Sequence, residues 1–168
     1  TFIQIGGKRM GVYLQSDHRP GPAAARGLPT YSFTTSEREL ETIAKDLIDL
    51  GVRFDGPVAN ANGFADKSLF FADPAGNHYA VYTPKDLPAP NDAAGRMTGV
   101  GYIELEAPNL EASIKFYQDV LGFEVQSRGA DGKQAVLKMA SGQTLILTQA
   151  PFASKGLVMS RKVPGPHI

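Results

Sequence analysis

The stretch from Ser68 to Tyr82 constrains the fold more than any other part of the chain. Two β-prone segments, 68–72 and 78–82, lie on either side of the pentapeptide Asp-Pro-Ala-Gly-Asn. Proline presets the backbone φ angle, and Gly and Asn tolerate a positive one, so this pentapeptide has the composition of a tight turn. The stretch therefore predicts a β-hairpin.

A helix is predicted upstream of this hairpin. Ser36 and Glu39 have the spacing of a capping box, in which each side chain satisfies a backbone N–H at the helix start. Gly51 stands where a helix-ending glycine belongs. Between them, apolar residues recur at helical spacing: Leu40, Ile43, Ala44 and Leu47.

Strands are predicted on both sides of this helix. Residues 28–35 alternate in character, which is typical of a strand with two different faces. Residues 52–54 begin a further strand, and residues 56–65 are predicted to form a loop before the hairpin. Residues 28–84 thus predict one βαβββ unit.

The same order of elements returns after a linker rich in Pro, Ala and Asn. Residues 100–106 predict a strand, Asn109 is a candidate helix N-cap, and residues 134–139 and 144–148 predict a closing hairpin. The helix between them has an apolar stripe ended by Gly122: Ile114, Tyr117, Val120 and Leu121.

The chain also repeats itself at a larger scale. Residues 135–150 line up with residues 1–16, and residues 163–168 line up with residues 28–33. Such repetition indicates a duplicated unit. We therefore expect the chain to begin inside one module and to stop within another. The predicted division is 1–27 (closing hairpin and loop of a preceding module), 28–84 (complete module), 85–97 (linker), 98–151 (second complete module) and 152–168 (loop and start of a further module).

The hairpin at 68–82 and the segment at 111–123 resemble two motifs of the vicinal-oxygen-chelate superfamily, which includes glyoxalase I, extradiol dioxygenases and bleomycin-resistance proteins. The second motif contains Phe116 and Tyr117, which we expect to pack the helix on its sheet, and ends in Val-Leu-Gly-Phe. The resemblance implies an α+β fold of repeated βαβββ modules. These would form a cupped mixed sheet with helices on the outside. Whether residues 28–84 and 98–151 pair with each other stays open.

In that superfamily the site lies on the concave sheet face, with metal ligands on the first and last strands of paired modules. A metal-binding Glu usually follows the Asp-Pro-x-Gly-Asn turn, and here its place is taken by Ala80. The other matching positions hold Ser32 (or Thr30, if the strand is shifted by two residues), Tyr102 and Ile146. His167 is the only ligand-type side chain at such a position and is a weak candidate. We therefore predict no cofactor, with a divalent Fe, Mn, Ni or Zn ion as the alternative.

The candidate ligand-binding residues are those that strand alternation directs to the cup: Tyr102, Glu104, Ser32, His78 and Tyr82. The first hypothesis is a binding protein that holds a small aromatic or polyoxygenated molecule, as bleomycin-resistance proteins do. The second is a metal-dependent glyoxalase-like or extradiol dioxygenase-like enzyme whose metal site needs residues beyond this chain. The third is a structural half that supports an active half. Catalytic residues are not identified, and whether the protein is an enzyme stays open.

Composition narrows the choice of partner. Acidic and basic residues balance at 17 each, so no electrostatic argument favours nucleic acid or a membrane surface. The absence of cysteine excludes disulfides and thiolate chemistry. We expect a small-molecule ligand, a cytoplasmic location, and no nucleic-acid or membrane partner, with a homodimer as an open alternative.

Overall fold

The protein forms one eight-stranded mixed sheet with two helices, together with a separate two-stranded hairpin. The computed structural model describes residues 2–5, 8–11, 24–59, 63, 65–85 and 96–149. The elements of the first half are β1 (Phe2–Ile5), β2 (Lys8–Gly11), β3 (Thr30–Thr34), α1 (Glu37–Asp49), β4 (Phe54–Ala59), β5 (Ala65–Ala72) and β6 (His78–Pro84). Those of the second half are β7 (Gly99–Glu106), α2 (Leu110–Asp119), β8 (Glu124–Arg128), β9 (Gln134–Lys138) and β10 (Thr144–Thr148).

The large sheet has the strand order β4-β5-β6-β3-β7-β10-β9-β8. Each half contributes a strand, a helix and three further strands, and the first strands of the two halves, β3 and β7, meet antiparallel at the centre. The predicted α+β class with repeated βαβββ modules is confirmed, and the open question of pairing is answered, since the two units share one sheet. The boundaries of the predicted division remain a prediction.

Both helices cover the same side of the sheet. Leu40, Ile43 and Leu47 of α1 pack with Leu69 and Val81 of β5 and β6. The second helix makes an equivalent core, in which its residues meet the strands β9 and β10: Leu110, Ile114, Ala135, Leu137, Leu145 and Leu147. The opposite side of the sheet has no helix from the described residues, and we call it the concave face, after the cup that the resemblance implies. Neither described helix has the length or the apolar run needed to cross a lipid bilayer.

The predicted N-caps Ser36 and Asn109 are confirmed, and of the capping box the structure shows the bond to the Ser36 side chain. The Ser36 hydroxyl accepts a hydrogen bond from the Glu39 backbone N–H at 3.3 Å, and the Asn109 side chain accepts one from the Ala112 N–H at 3.0 Å. Each bond satisfies one of the N–H groups that the first turn of a helix leaves without an intrahelical partner. Gly51, with a φ of 65°, follows the C-cap residue Leu50 of α1, as its position in the sequence predicts.

The loop predicted at 56–65 is wrong in its first part, because β4 continues to Ala59. Its register with β5 shifts between Asp55 and Val58, and Gly56 at this point has a φ of 118°. A positive φ of this kind is accessible to glycine. The strand can therefore accommodate the irregularity and resume pairing, where the sequence pattern of Gly and Pro suggests that it ends.

The packing predicted for the second helix is also partly wrong. Tyr117 lies against Phe123 at 5.3 Å between ring centroids, whereas Phe116, Val120 and Leu121 are 51%, 64% and 51% exposed. The last two residues lie beyond the end of α2, at Asp119, so helical periodicity no longer directs them to the sheet. The predicted hairpin at the start of the chain forms between β1 and β2, and its predicted residues 12–14 lie outside the described ranges.

The seam between the two halves contains a β-bulge fixed by a side chain. Tyr31 pairs with Ile103 and Phe33 with Val100, so β7 advances by one residue more than β3 across Ser32. At this position the Ser32 hydroxyl donates to the Tyr102 carbonyl at 2.7 Å and accepts from the Tyr102 N–H at 2.5 Å. Ser32 thus replaces the backbone partner that a bulged residue loses.

Replacing Ser32 by Ala should lower the free energy of unfolding by about 1–3 kcal/mol, because the change removes two buried hydrogen bonds to the Tyr102 backbone. The matched control is Ser127→Ala, since Ser127 is an exposed residue of β8. Urea denaturation of both variants provides the measurement. Equal unfolding midpoints for the two variants would show that the Ser32 bridge contributes nothing to the seam.

Candidate functional site

The centre of the concave face is filled by packed side chains from both halves. Phe70, Ala80, Tyr82, Tyr102 and Ile146 form one buried cluster, which we call the cup floor. None of the five is more than 7% exposed. The rings of Tyr82 and Tyr102 lie 5.6 Å apart between centroids, at 39° to each other. The floor therefore joins the two halves on the side that the helices leave uncovered.

Gly101 allows the Tyr82 ring to lie directly on the backbone of β7. A Cβ atom at this position would overlap the ring of Tyr82 and the hydroxyl of Ser32. The absence of a side chain here has a steric reason, since another residue would push the Tyr82 ring away from the seam. Burial raises the pKa of Tyr82 to about 12, because the phenolate form loses its hydration.

Polar side chains gather beside the floor at one end of the concave face. Glu104 Oε1 accepts a hydrogen bond from the Thr148 hydroxyl at 2.6 Å and a longer one from the Gln134 amide at 3.5 Å. The Gln134 amide also contacts the Thr148 hydroxyl at 3.1 Å. Three strands thus contribute one residue each to this group, because Thr148 lies between β7 and β9 in the sheet.

His78 lies on the same face, two strands away from Glu104. Both residues are in register with Thr30, which places them in one row across β6, β3 and β7. Strands are spaced by about 4.8 Å, so the two Cα atoms are about 10 Å apart. The His78 ring packs on the backbone of Gly27, and its Nδ1 atom is buried with no hydrogen-bond partner among the described residues.

A short segment before β3 crosses the other half of the concave face. The Arg26 guanidinium lies over the Phe70 ring at 4.0 Å from the ring centroid and forms an ion pair with Asp55. The Thr30 hydroxyl donates to the Gly27 carbonyl at 2.5 Å. These contacts cover the Phe70 end of the cup floor. A cation over an aromatic face is itself a stabilising contact.

The five candidate ligand-binding residues therefore fall into two groups. Ser32, Tyr82 and Tyr102 are buried in or beside the cup floor, whereas Glu104 and His78 are half-buried at the polar end. His167 lies outside the described ranges. Sequence reasoning missed Thr148 and Gln134. Strand alternation could have found Thr148. It lies two residues after Ile146 and therefore on the same face, and the resemblance places Ile146 on the concave face.

The described residues do not fit a metal ion. Across the described ranges, no group of three or more His, Cys, Asp or Glu side chains is arranged to hold one. The positions that the resemblance assigns to metal ligands are Ser32, Ala80, Tyr102 and Ile146, all on the concave face. Ala80 and Ile146 offer no ligand atom, and the Ser32 hydroxyl is already bonded to the Tyr102 backbone.

Comparison with known proteins finds similarity to one superfamily. Residues 99–160 match the family model of the Glyoxalase/Bleomycin resistance protein/Dioxygenase superfamily. A curated relative, the iron-dependent extradiol dioxygenase of Rhodococcus jostii (strain RHA1), is 30% identical over 124 residues. That alignment covers 62% of this chain and 41% of the relative, so the match spans less than half of the relative's length.

Solved structures share the fold. A putative dioxygenase from Bacillus subtilis aligns with a TM-score of 0.55 at 15% identity, covering 74% of this chain and 41% of that one. Glyoxalase I from Zea mays aligns at 0.51 and 20% identity, covering 71% and 41%. The family match over residues 99–160 and the relative at 30% identity support the predicted resemblance to the vicinal-oxygen-chelate superfamily, and the structural likenesses confirm its fold.

These comparisons overturn the prediction of no cofactor. That prediction depended on Ser32, Ala80, Tyr102 and Ile146 at the ligand positions, and it extended their lack of ligands to the whole protein. The relative at 30% identity is an iron-dependent enzyme, and the aligned portion is 41% of its length. A part of the molecule without ligands is therefore no sign that the protein lacks a metal, and the prediction is wrong.

The raised pKa of Tyr82 predicts how stability changes at alkaline pH. An unfolded tyrosine ionises near pH 10, whereas Tyr82 in the folded protein does so at about 12. Stability should therefore be fully present below pH 10 and should fall between pH 10 and 12. In Tyr82→Phe this fall should be smaller. Urea midpoints at pH 8, 10 and 11 measure it, and the same decline in both proteins would contradict the assignment to Tyr82.

Proposed function

We propose that the protein is a metal-dependent enzyme of the vicinal-oxygen-chelate superfamily that acts on a small aromatic or polyoxygenated molecule. The metal in this proposal is held by residues outside the described part of the chain. The observation that carries it is the 30% identity with an iron-dependent extradiol dioxygenase. A dioxygenase-like reaction is accordingly favoured over a glyoxalase-like one, since the glyoxalase I likeness lies at 20% identity and bears on the fold alone.

The filled cup floor supports the idea that the described modules have a structural role and that another part of the protein holds the metal. Tyr82, Tyr102 and Ile146 occupy the centre of the concave face, where a metal and its substrate would have to lie. We infer that this pair of modules provides a rigid sheet beside the metal-bearing part. The contacts of these two modules with a ligand would then come from the polar end of the concave face, where Glu104 and His78 are half-buried.

The proposal also includes a small-molecule partner, a cytoplasmic location and a homodimer. A formal net charge of zero supports a small-molecule partner over nucleic acid. Action in the cytoplasm and assembly as a homodimer stay predictions. Gel filtration with light scattering would test the homodimer directly.

Metal content tests the proposed function. The longest natural form of the protein should be purified without chelator and reconstituted separately with Fe(II), Mn(II), Ni(II) and Zn(II). We expect one stoichiometric ion by mass spectrometry, and oxygen consumption by the iron-loaded protein with catechol as the probe. Tyr102→Phe should retain the ion, because the described floor is not the metal site.

Two results would count against this account. Failure to bind any of the four ions would contradict a metal-dependent enzyme. Loss of the ion in a folded Tyr102→Phe variant would instead place the metal at the cup floor. His167→Ala, measured in the same way, decides whether His167 is a ligand.

A further inference from the structure

We propose that the polar end of the concave face binds a small molecule through a protonated amine, with the Glu104 carboxylate as its partner. The binding group, called here the Glu104 site, consists of Glu104, Thr148 and Gln134. This inference goes beyond the proposed function and does not depend on a metal. Glu104 is not one of the positions that the resemblance assigns to metal ligands, and those positions lie in or beside the packed floor.

The hydrogen bonds of the Glu104 site fix the carboxylate in place. Thr148 and Gln134 both donate to the same oxygen, Oε1, at 2.6 and 3.5 Å. Gln134 also holds the Thr148 hydroxyl, at 3.1 Å. All three residues are on strands of one sheet, so the carboxylate is oriented before any ligand arrives. Such preorganisation lowers the cost of binding.

The charge of this carboxylate has no cationic partner among the described residues. Among the described residues, no Lys, Arg or His forms an ion pair with Glu104, and both of its donors are neutral. Its register partners on the adjoining strands, Thr30 and Ile146, are uncharged as well. A half-buried carboxylate without a cation gains most from a ligand that supplies one.

The surroundings favour an amine attached to an apolar body. Ile146 lies beside Glu104 in register, and Val136 lies beside Ile146 on the next strand. Both belong to or pack against the cup floor. Ile146 is fully buried and Val136 is half-buried, so a ligand whose ammonium group meets Glu104 can rest its hydrocarbon part on Val136.

A matched series of three probes tests the charge preference on the full chain. Benzylamine, benzyl alcohol and benzoate share one ring and differ in the charge of the polar group. Titrations followed by 1H–15N NMR should show benzylamine binding at least about tenfold more tightly than benzyl alcohol, with benzoate not binding. The shifted amides should include those of Glu104, Gln134 and Thr148. Added NaCl should weaken the binding of benzylamine and leave that of benzyl alcohol unchanged.

Glu104→Gln keeps the shape of the side chain and removes its charge, so it should lose the preference for benzylamine by about tenfold. Glu124→Gln is the control, because Glu124 is an exposed carboxylate of β8. Three results would overturn the proposal: no binding of benzylamine, equal affinity for benzyl alcohol, or full affinity in Glu104→Gln. Should this variant not fold, the salt dependence and the location of the amide shifts in the unchanged protein decide the question.

Discussion

The antiparallel pairing of β3 with β7 holds the two halves of this protein in a single sheet, and the rest of the concave face depends on it. The pairing is irregular at Ser32, where one hydroxyl both donates to and accepts from the backbone of Tyr102. Backbone groups buried at a bulge need partners from elsewhere, and a serine supplies both kinds. The same irregularity brings Tyr102 against Tyr82, since Gly101 leaves room for the Tyr82 ring.

The consequence is a concave face with two different regions. Its centre is an apolar floor in which side chains from both halves pack together, and one end carries the Glu104 carboxylate, held by hydrogen bonds from Thr148 and Gln134. A filled centre is unsuited to hold a metal with two substrate oxygens. Among the described residues no group of side chains is arranged to hold a metal, whereas a carboxylate that can contact a ligand's charge is present.

Much of the fold could be predicted from local signals. Turn residues at Asp73–Asn77, the caps at Ser36 and Asn109, and alternation along β3 all indicate structure within a few residues of themselves. The Asp73 turn shows why such signals are dependable. Burial acts to raise the pKa of this carboxyl, but hydrogen bonds from Asn77, Ala75 and Tyr79 outweigh it and hold the pKa below its usual value.

What the sequence could not predict depends on contacts between distant residues. The bulge at Ser32 depends on Tyr102, seventy residues along the chain. The Glu104 site combines residues from three strands, and the order of these strands in the sheet cannot be predicted from local sequence patterns. Gly56 and Pro57 indicate a loop by composition, and only the pairing of β4 with β5 shows that the strand continues. The prediction of no cofactor failed for another reason, because it depended on the side chains at four positions alone, whereas the relative at 30% identity is an iron-dependent enzyme.

The central claim is that β3 and β7 join the halves in register, with Tyr31 opposite Ile103. Backbone NOEs across this pair, together with amide exchange of Tyr102 and Ile103, test it most directly. We expect cross-strand contacts between Tyr31 and Ile103, and exchange at these amides as slow as in the interior pair β5–β6. Fast exchange along β7 with no contact to β3 would contradict the account, because the two halves would then be separate units without a common cup.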